Sequence, residues 1–317
     1  MALLKWVFLC AFSVLTVQAH CSEIYFNTQK EAIDALTIPF HLVKKLVVVK
    51  AIVDGKKGNF IIDTGTESMI LHNKYFTGQI STGARAADFA GSKIVFKTKT
   101  VKFQWKNNKP MTCNAVVTSL SALEQLLGAD IMGYIGYDIL KNYEVVFDYQ
   151  SRNITLFELG KRGKRKSSQP LHTDASDTIS LKPNGQFPYL TVHLGGQKLK
   201  MGIDSGASIN LLQSRTTKKL NDHFETSGVE QTAGFNGEVT LSEQGYLRQL
   251  KIENTIWSSM KCVVSEMSEL NRTVPTSLDG LLGFEFLKQY KVSINYQRNE
   301  MYVWPLESAK LEAITER

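Results

Sequence analysis

At 317 residues the chain is long enough for two domains of roughly 140 residues each, inside the usual range of about 100–200. Hydrophobic residues make up 43% and charged residues 21%, which excludes a disordered chain. The formal net charge is +7, but five basic residues crowd into positions 161–166 with no aromatic-and-basic face beside them, so that stretch reads as a solvated linker and nucleic acid is not an expected partner.

In chain order, residues 1–19 read as a secretory signal peptide. Lys5 supplies the positive end, residues 6–17 the apolar core, and Val17-Gln18-Ala19 the small or aliphatic positions before a cut ahead of His20. The apolar run is shorter than the roughly 20 residues of a comfortable membrane span, and no second candidate follows. Cys21 invites a lipidated terminus, but His20 stands where a small residue should precede the modified cysteine. The expectation is a soluble exported protein, periplasmic or secreted. Cleavage leaves Cys21, Cys113 and Cys262, an odd number that excludes pairing every thiol within one chain. Cys113 and Cys262 hold matching places in the two halves and read as small buried hydrophobes.

A lead-in at 31–36, helical or extended, precedes a β-rich stretch at 46–53, a turn at 54–58 and a strand at 59–63 that ends on Asp63. The second half repeats this with 189–194, a Gly195-Gly196 turn and 198–204, ending on Asp204. Each acid opens an acid–hydroxyl–glycine triplet, Asp63-Thr64-Gly65 and Asp204-Ser205-Gly206, spaced 141 positions apart. A glycine behind a buried acid lets another backbone approach closely, and the hydroxyl can bond across to a matching loop. Two carboxyls brought together this way cannot both ionise easily. One then holds a proton while the other acts as a base, which is a device for activating water against an amide.

Beyond each triplet lies a hairpin tip, with Phe89 and Gly91 in the first half and Phe235 and Gly237 in the second. Such a tip is a mobile lid or merely a turn, and the sequence leaves both open. The strongest self-similarity comes last. A shift of 147 residues aligns 131–157 with 278–304 without a gap and gives eight identities in 27 positions. Gly136, Tyr143, Tyr149 and Gln150, for example, recur as Gly283, Tyr290, Tyr296 and Gln297. Each copy reads as an apolar strand, a glycine, a short helix and a final strand. Two copies predict an all-β protein of two similar barrel-like lobes about a pseudo-two-fold axis. The boundaries are a lobe at 20–159, a basic linker at 160–173 carrying Pro170, and a lobe at 174–317.

With both triplets, their downstream apolar pairs (Ile70-Leu71 and Leu211-Leu212) and the two apolar–apolar–glycine segments (Tyr134-Ile135-Gly136 and Leu281-Leu282-Gly283), the chain resembles a two-lobed aspartic protease of the retropepsin-like kind. Its wording is closer to exported bacterial members than to pepsins, which favours the periplasm. The resemblance covers about 45–157 and 186–304, and implies a cleft between the lobes. It implies Asp63 and Asp204 as the catalytic dyad, supported by Thr64, Gly65, Ser205 and Gly206. Thr66, Glu67, Ala207 and Ser208 would line the cleft, where backbone groups pair with an extended peptide. Ile135, Gly136, Leu282 and Gly283 would pack behind the dyad, and Phe89–Gly91 and Phe235–Gly237 would be the flaps. Two departures stand out: neither tip carries the flap tyrosine of pepsin-like enzymes, and serine replaces threonine at 205 while keeping the hydroxyl.

The histidines His41, His72, His172, His193 and His223 have no ligand spacing, so neither a metal nor another cofactor is expected. Ser68 and Ser208 have no motif tying them to a histidine, and a serine-hydrolase triad fits poorly. The expected function is a monomeric endopeptidase acting on peptides or proteins, with no membrane span once the signal is removed. The alternative is a catalytically inactive peptide- or partner-binding module of the same fold. Loss of an acid, hydroxyl or glycine from either triplet would favour that alternative, and none has been lost.

Overall fold

Two tight turns set the register of the strands that carry the acids. Asp54-Gly55, at φ 47° and 77°, joins Leu46–Val53 to Lys56–Ile62, and Gly195-Gly196, at φ 56° and 76°, joins Tyr189–Leu194 to Gln197–Ile203. A left-handed pair of this kind matches the twist of an antiparallel hairpin and pins Val53 opposite Lys56 and Leu194 opposite Gln197. The first turn is thus two residues rather than the five expected at 54–58. Lys56, Lys57 and Gly58 already pair with Val53, Ile52 and Ala51, because this end of the hairpin is exposed and lysines there reach water from either face without interrupting the ladder.

The computed structural model describes residues 6–8, 35–78, 81–87, 93–106, 108–166, 175, 177–220, 223–233, 239–257 and 259–304. In each half a strand from the end of the unit is inserted between the strand that delivers the acid and the strand that leaves it. Gly133–Ile135 runs parallel to Lys56–Ile62 and antiparallel to Met69–His72. Gly280–Leu282 does the same between Gln197–Ile203 and Asn210–Gln213. Both acid loops therefore hang from the junction of three hydrogen-bonded strands. Trp6–Phe8, inside the stretch read as a signal, lies parallel to the outer edge of Phe224–Ala233. No helix among the described residues is long and apolar enough to cross a membrane.

The lobes are not merely adjacent. Their final strands, Tyr143–Asp148 and Lys291–Asn295, pair antiparallel at the middle of a shared sheet, with Glu144 opposite Asn295 and Phe147 opposite Val292. Asn153–Glu158 and Leu36–Val43 extend this sheet on one side, and Glu300–Trp304 and Asp177–Ser180 on the other. The largest apolar cluster runs through both lobes, from Val47 and Phe60 to Ile203 and Ile294, with a satellite cluster in each lobe.

The start of the basic linker departs from the solvated stretch expected. Lys161, Arg162, Lys164 and Lys166 are exposed, but Arg165 turns inward, its guanidinium 4.0 Å from the Phe157 ring centre and ion-paired with Glu144. Glu144 is fully buried and also accepts from Ser293 Oγ at 2.7 Å and Asn295 Nδ2 at 3.1 Å. A buried carboxylate on the central strand needs a cation, and the linker supplies it. Glu144→Ala would leave Arg165 buried without its counter-ion. Urea unfolding is expected to show a loss of about 3–5 kcal/mol, and a midpoint equal to wild type would show that the guanidinium escapes to water.

Candidate active site

The two triplets meet at their hydroxyl residues. Thr64 N–H donates to Ser205 Oγ at 3.0 Å, and Ser205 N–H donates to Thr64 Oγ1 at 2.9 Å. Each hydroxyl also donates across to the strand delivering the other acid: Ser205 to Ile62 O at 2.9 Å and Thr64 to Ile203 O at 3.2 Å. These four bonds are all buried, where water cannot compete for either partner.

This bridge brings the carboxyls together. A Cβ placed on Gly65 would stand 2.7 Å from Asp204 Oδ1, and one on Gly206 would stand 2.6 Å from both Asp63 oxygens. Either is closer than a real side-chain carbon packs, so only glycine admits the opposing acid. Gly65 N–H and Gly206 N–H each donate to Oδ1 of their own acid at 2.8 Å. The segments Tyr134-Ile135-Gly136 and Leu281-Leu282-Gly283 lie directly behind. Asp63 N–H donates to Ile135 O at 3.1 Å and Asp204 N–H to Leu282 O at 3.0 Å. Past Gly136 and Gly283, Tyr137 N–H donates to Thr66 O at 2.8 Å and Phe284 N–H to Ala207 O at 2.9 Å.

The two acids are not equivalent. Thr66 Oγ1 donates to Asp63 Oδ2 at 2.8 Å, whereas the matching residue in the second loop is Ala207, and Asp204 Oδ2 is buried with no such donor among the described residues, the two carboxyls being within hydrogen-bonding reach of each other. Burial pushes the Asp63 carboxyl up to about 6 against the pull of the Thr66 and Gly65 donors. Burial, and then the charge of Asp63, drive Asp204 well above the ordinary carboxylate range. The pair therefore shares one proton over a span of pH, held by the acid with fewer donors, Asp204.

Of the residues expected along the cleft, Thr66, Ala207 and Ser208 are buried and Glu67 is half-buried. The Thr66 hydroxyl is turned onto Asp63 instead of outward, and the Ala207 carbonyl is taken by the first N–H of the helix Phe284–Leu287. Burial raises the titration of Glu67, with Lys141 opposing it. The flap candidates Phe89, Gly91, Phe235 and Gly237 lie outside the described residues. The hairpin strands leading to them are described, with Ala87 opposite Lys93 and Ala233 opposite Val239.

Sequence reasoning passed over two groups near the dyad. Asp138 is half-buried beside the first loop, accepting from Met69 N–H at 3.2 Å and Ile139 N–H at 2.9 Å, and desolvation pushes it up to about 6. Its match Glu285 instead pairs with Lys45 and Lys288 at 2.6 and 2.5 Å, which outweigh burial and lower its titration. The other group is the tyrosine pair Tyr149 and Tyr296, whose recurrence in the repeat was the available signal.

Among the described residues no group of histidine, cysteine, aspartate and glutamate is arranged to hold a metal ion. Residues 190–286, which contain the second triplet and its downstream glycine segment, match the family model described as aspartyl protease. That match covers a stretch of the second half, and for this stretch the similarity is to aspartyl proteases. The structure is also similar to a solved one titled "Crystal structure of edgp", with a TM-score of 0.54 and 9% identity over 87% of this chain and 96% of that one. At that identity the likeness shows the fold alone: mainly β and pepsin-like. No curated protein matches the chain.

The inequality of the two acids is testable by substitution. Thr66→Ala removes a donor from the ionised form of Asp63, so its titration should rise by about one unit in carboxyl-¹³C NMR. Ala207→Ser adds a donor beside Asp204 and should lower the upper titration. Unmoved titrations in both variants would mean that these positions do not set the asymmetry.

Proposed function

We propose that the protein is an exported aspartic endopeptidase with Asp63 and Asp204 as its catalytic residues. The observation that carries this reading is the reciprocal Thr64–Ser205 bridge, which seats two buried carboxyls against each other, where both cannot easily ionise. A device that only bound peptide would have no use for two desolvated acids, which destabilise the fold when ionised.

Asp63, held ionised by the Thr66 and Gly65 donors, takes a proton from a water between the two acids. Asp204 hands its proton to the amide oxygen as the tetrahedral species forms. In its collapse the proton gained by Asp63 passes to the leaving nitrogen, and Asp204 recovers its own. Both acids end as they began, and no bond forms between enzyme and substrate. The substrate lies extended between the lobes, pairing its backbone with the acid loops.

The working form needs Asp63 ionised and Asp204 protonated. Cleavage should therefore increase as pH climbs through about 6, where Asp63 loses its proton, and decline where Asp204 loses its own. The decisive experiment incubates the mature chain with a diverse peptide mixture from acid to neutral pH and reads the products by mass spectrometry. Asp63→Asn and Asp204→Asn should each remove every cut, with a loss of at least about a thousandfold. Cuts that survive in Asp63→Asn, or no cuts at any pH from folded wild type, would transfer the function to a non-catalytic peptide-binding module.

Export is supported by the sequence of residues 1–19. N-terminal sequencing of protein recovered from the periplasm or medium should begin at His20, and recovery of full-length chain from the cytoplasm alone would oppose export.

A further inference from the structure

A groove of about 530 Å³ opens on the second half, between the strand Asp177–Ser180 with its continuation to Lys182 and the outer face of Tyr189–Leu194 and its neighbours. The first of these walls is tied at both ends. Lys182 and Tyr189 exchange backbone N–H···O bonds at 2.7 and 3.0 Å. Asp177 Oδ2 accepts from Thr255 Oγ1 at 3.0 Å and from Asn254 N–H at 3.3 Å. Across the floor three side chains stand in register on three strands, Lys198 opposite His193 and His193 opposite Lys251. Residues directly opposite one another share a face, so this row spans two strand spacings, about 10 Å. Thr191 lies two residues from His193 on the same face, and Ser180 and Lys182 line the groove from the wall.

The fold does not require this row. At the matching register of the first half the opposed pair is Ile52 and Gln104, and neither carries a charge. Lys182, Lys198 and Lys251 are exposed, and none is ion-paired with a carboxylate among the described residues. Glu253 is the one acid lining the groove. Like charges gathered in one concavity repel, and a bound anion relieves that repulsion. No aromatic or large aliphatic side chain lines the groove, so it has no surface for stacking a ring or burying an acyl chain. It presents ammonium groups, an imidazole and two hydroxyls instead, a donor set suited to phosphate oxygens. Both the volume and the width of the row exceed one phosphate. Asp204 lies six residues beyond Lys198 along the same strand, about 20 Å away, so this groove is separate from the dyad.

We propose that this groove is a binding site for a soluble oligoanion bearing two or more phosphate groups, seated on the Lys198–His193–Lys251 row with Lys182, Ser180 and Thr191 beside it. Glu253 opposes the ligand at one side and limits its charge. The site stands apart from the proteolytic reading, and its test needs no turnover.

Tripolyphosphate titrated into the protein by calorimetry at low salt is expected to bind with one equivalent per chain and to shift the His193 ring signals in NMR. Lys198→Ala and Lys251→Ala change exposed side chains and leave the fold intact, and each should weaken binding about tenfold. Glu253→Gln removes the opposing charge and should tighten it about threefold. Lys161→Ala combined with Lys164→Ala, in the exposed start of the basic linker, should bind as wild type does. Orthophosphate, too small to span the row, should bind at least about tenfold more weakly. Absence of binding would overturn the proposal, as would equal affinity for orthophosphate or a loss in the linker variant with none in Lys198→Ala and Lys251→Ala. Capture by phosphatidylglycerol vesicles without uptake of tripolyphosphate would also overturn it, because a flat anionic surface does not enter the groove.

Discussion

The fold and the site both depend on the exchange of hydrogen bonds between Thr64 and Ser205. Each residue spends its backbone N–H and its hydroxyl on the opposite loop, so neither loop can shift without breaking buried bonds in both lobes. The small size of Gly65 and Gly206 has meaning only because this bridge sets the distance between the loops. The shared sheet does the same work at larger scale. It pairs the closing strands of both halves, carries the Glu144–Arg165 ion pair, and packs one tyrosine ring from each half against the helix behind the other half's acid loop.

A near-symmetric scaffold makes an asymmetric pair of acids through a few local differences. Thr66 faces Ala207 across the two-fold, and that single hydroxyl separates the acid that stays ionised from the one that keeps its proton. Asp138 and Glu285 differ likewise, the first raised by desolvation that Lys141 only partly opposes and the second clamped by Lys45 and Lys288. The rings behind the loops are exchanged evenly, but the bridge hydroxyls are those of a threonine and a serine. Symmetry therefore fixes position, and departures from it fix protonation.

Much of this was legible in the sequence because it is written twice. The Asp–hydroxyl–Gly triplets, the Gly136 and Gly283 segments and the hairpins ahead of each acid follow local rules of turn chemistry and apolar patterning. The residues that were not legible act through partners far away in the chain. Arg165 sits in a run that looks solvated, and only the fold places Glu144 beneath it. The exchange of Tyr149 and Tyr296 between lobes depends on the pairing of the two closing strands, which no local pattern encodes. Thr66 and Ala207 were visible as a pair of unlike residues, but the direction of the Thr66 hydroxyl, onto the acid and away from the cleft, is a packing outcome. The flap positions Phe89, Gly91, Phe235 and Gly237 are outside the described residues and stand as sequence expectations.

The central claim is that the bridge makes two carboxyls share one proton, with Asp204 its keeper. Neutron diffraction from crystals equilibrated near neutral pH would locate that proton directly. The account predicts nuclear density for one deuterium on Asp204 Oδ2 and none on either oxygen of Asp63. Two bare carboxylates, or a deuterium on Asp63 with Asp204 bare, would contradict it.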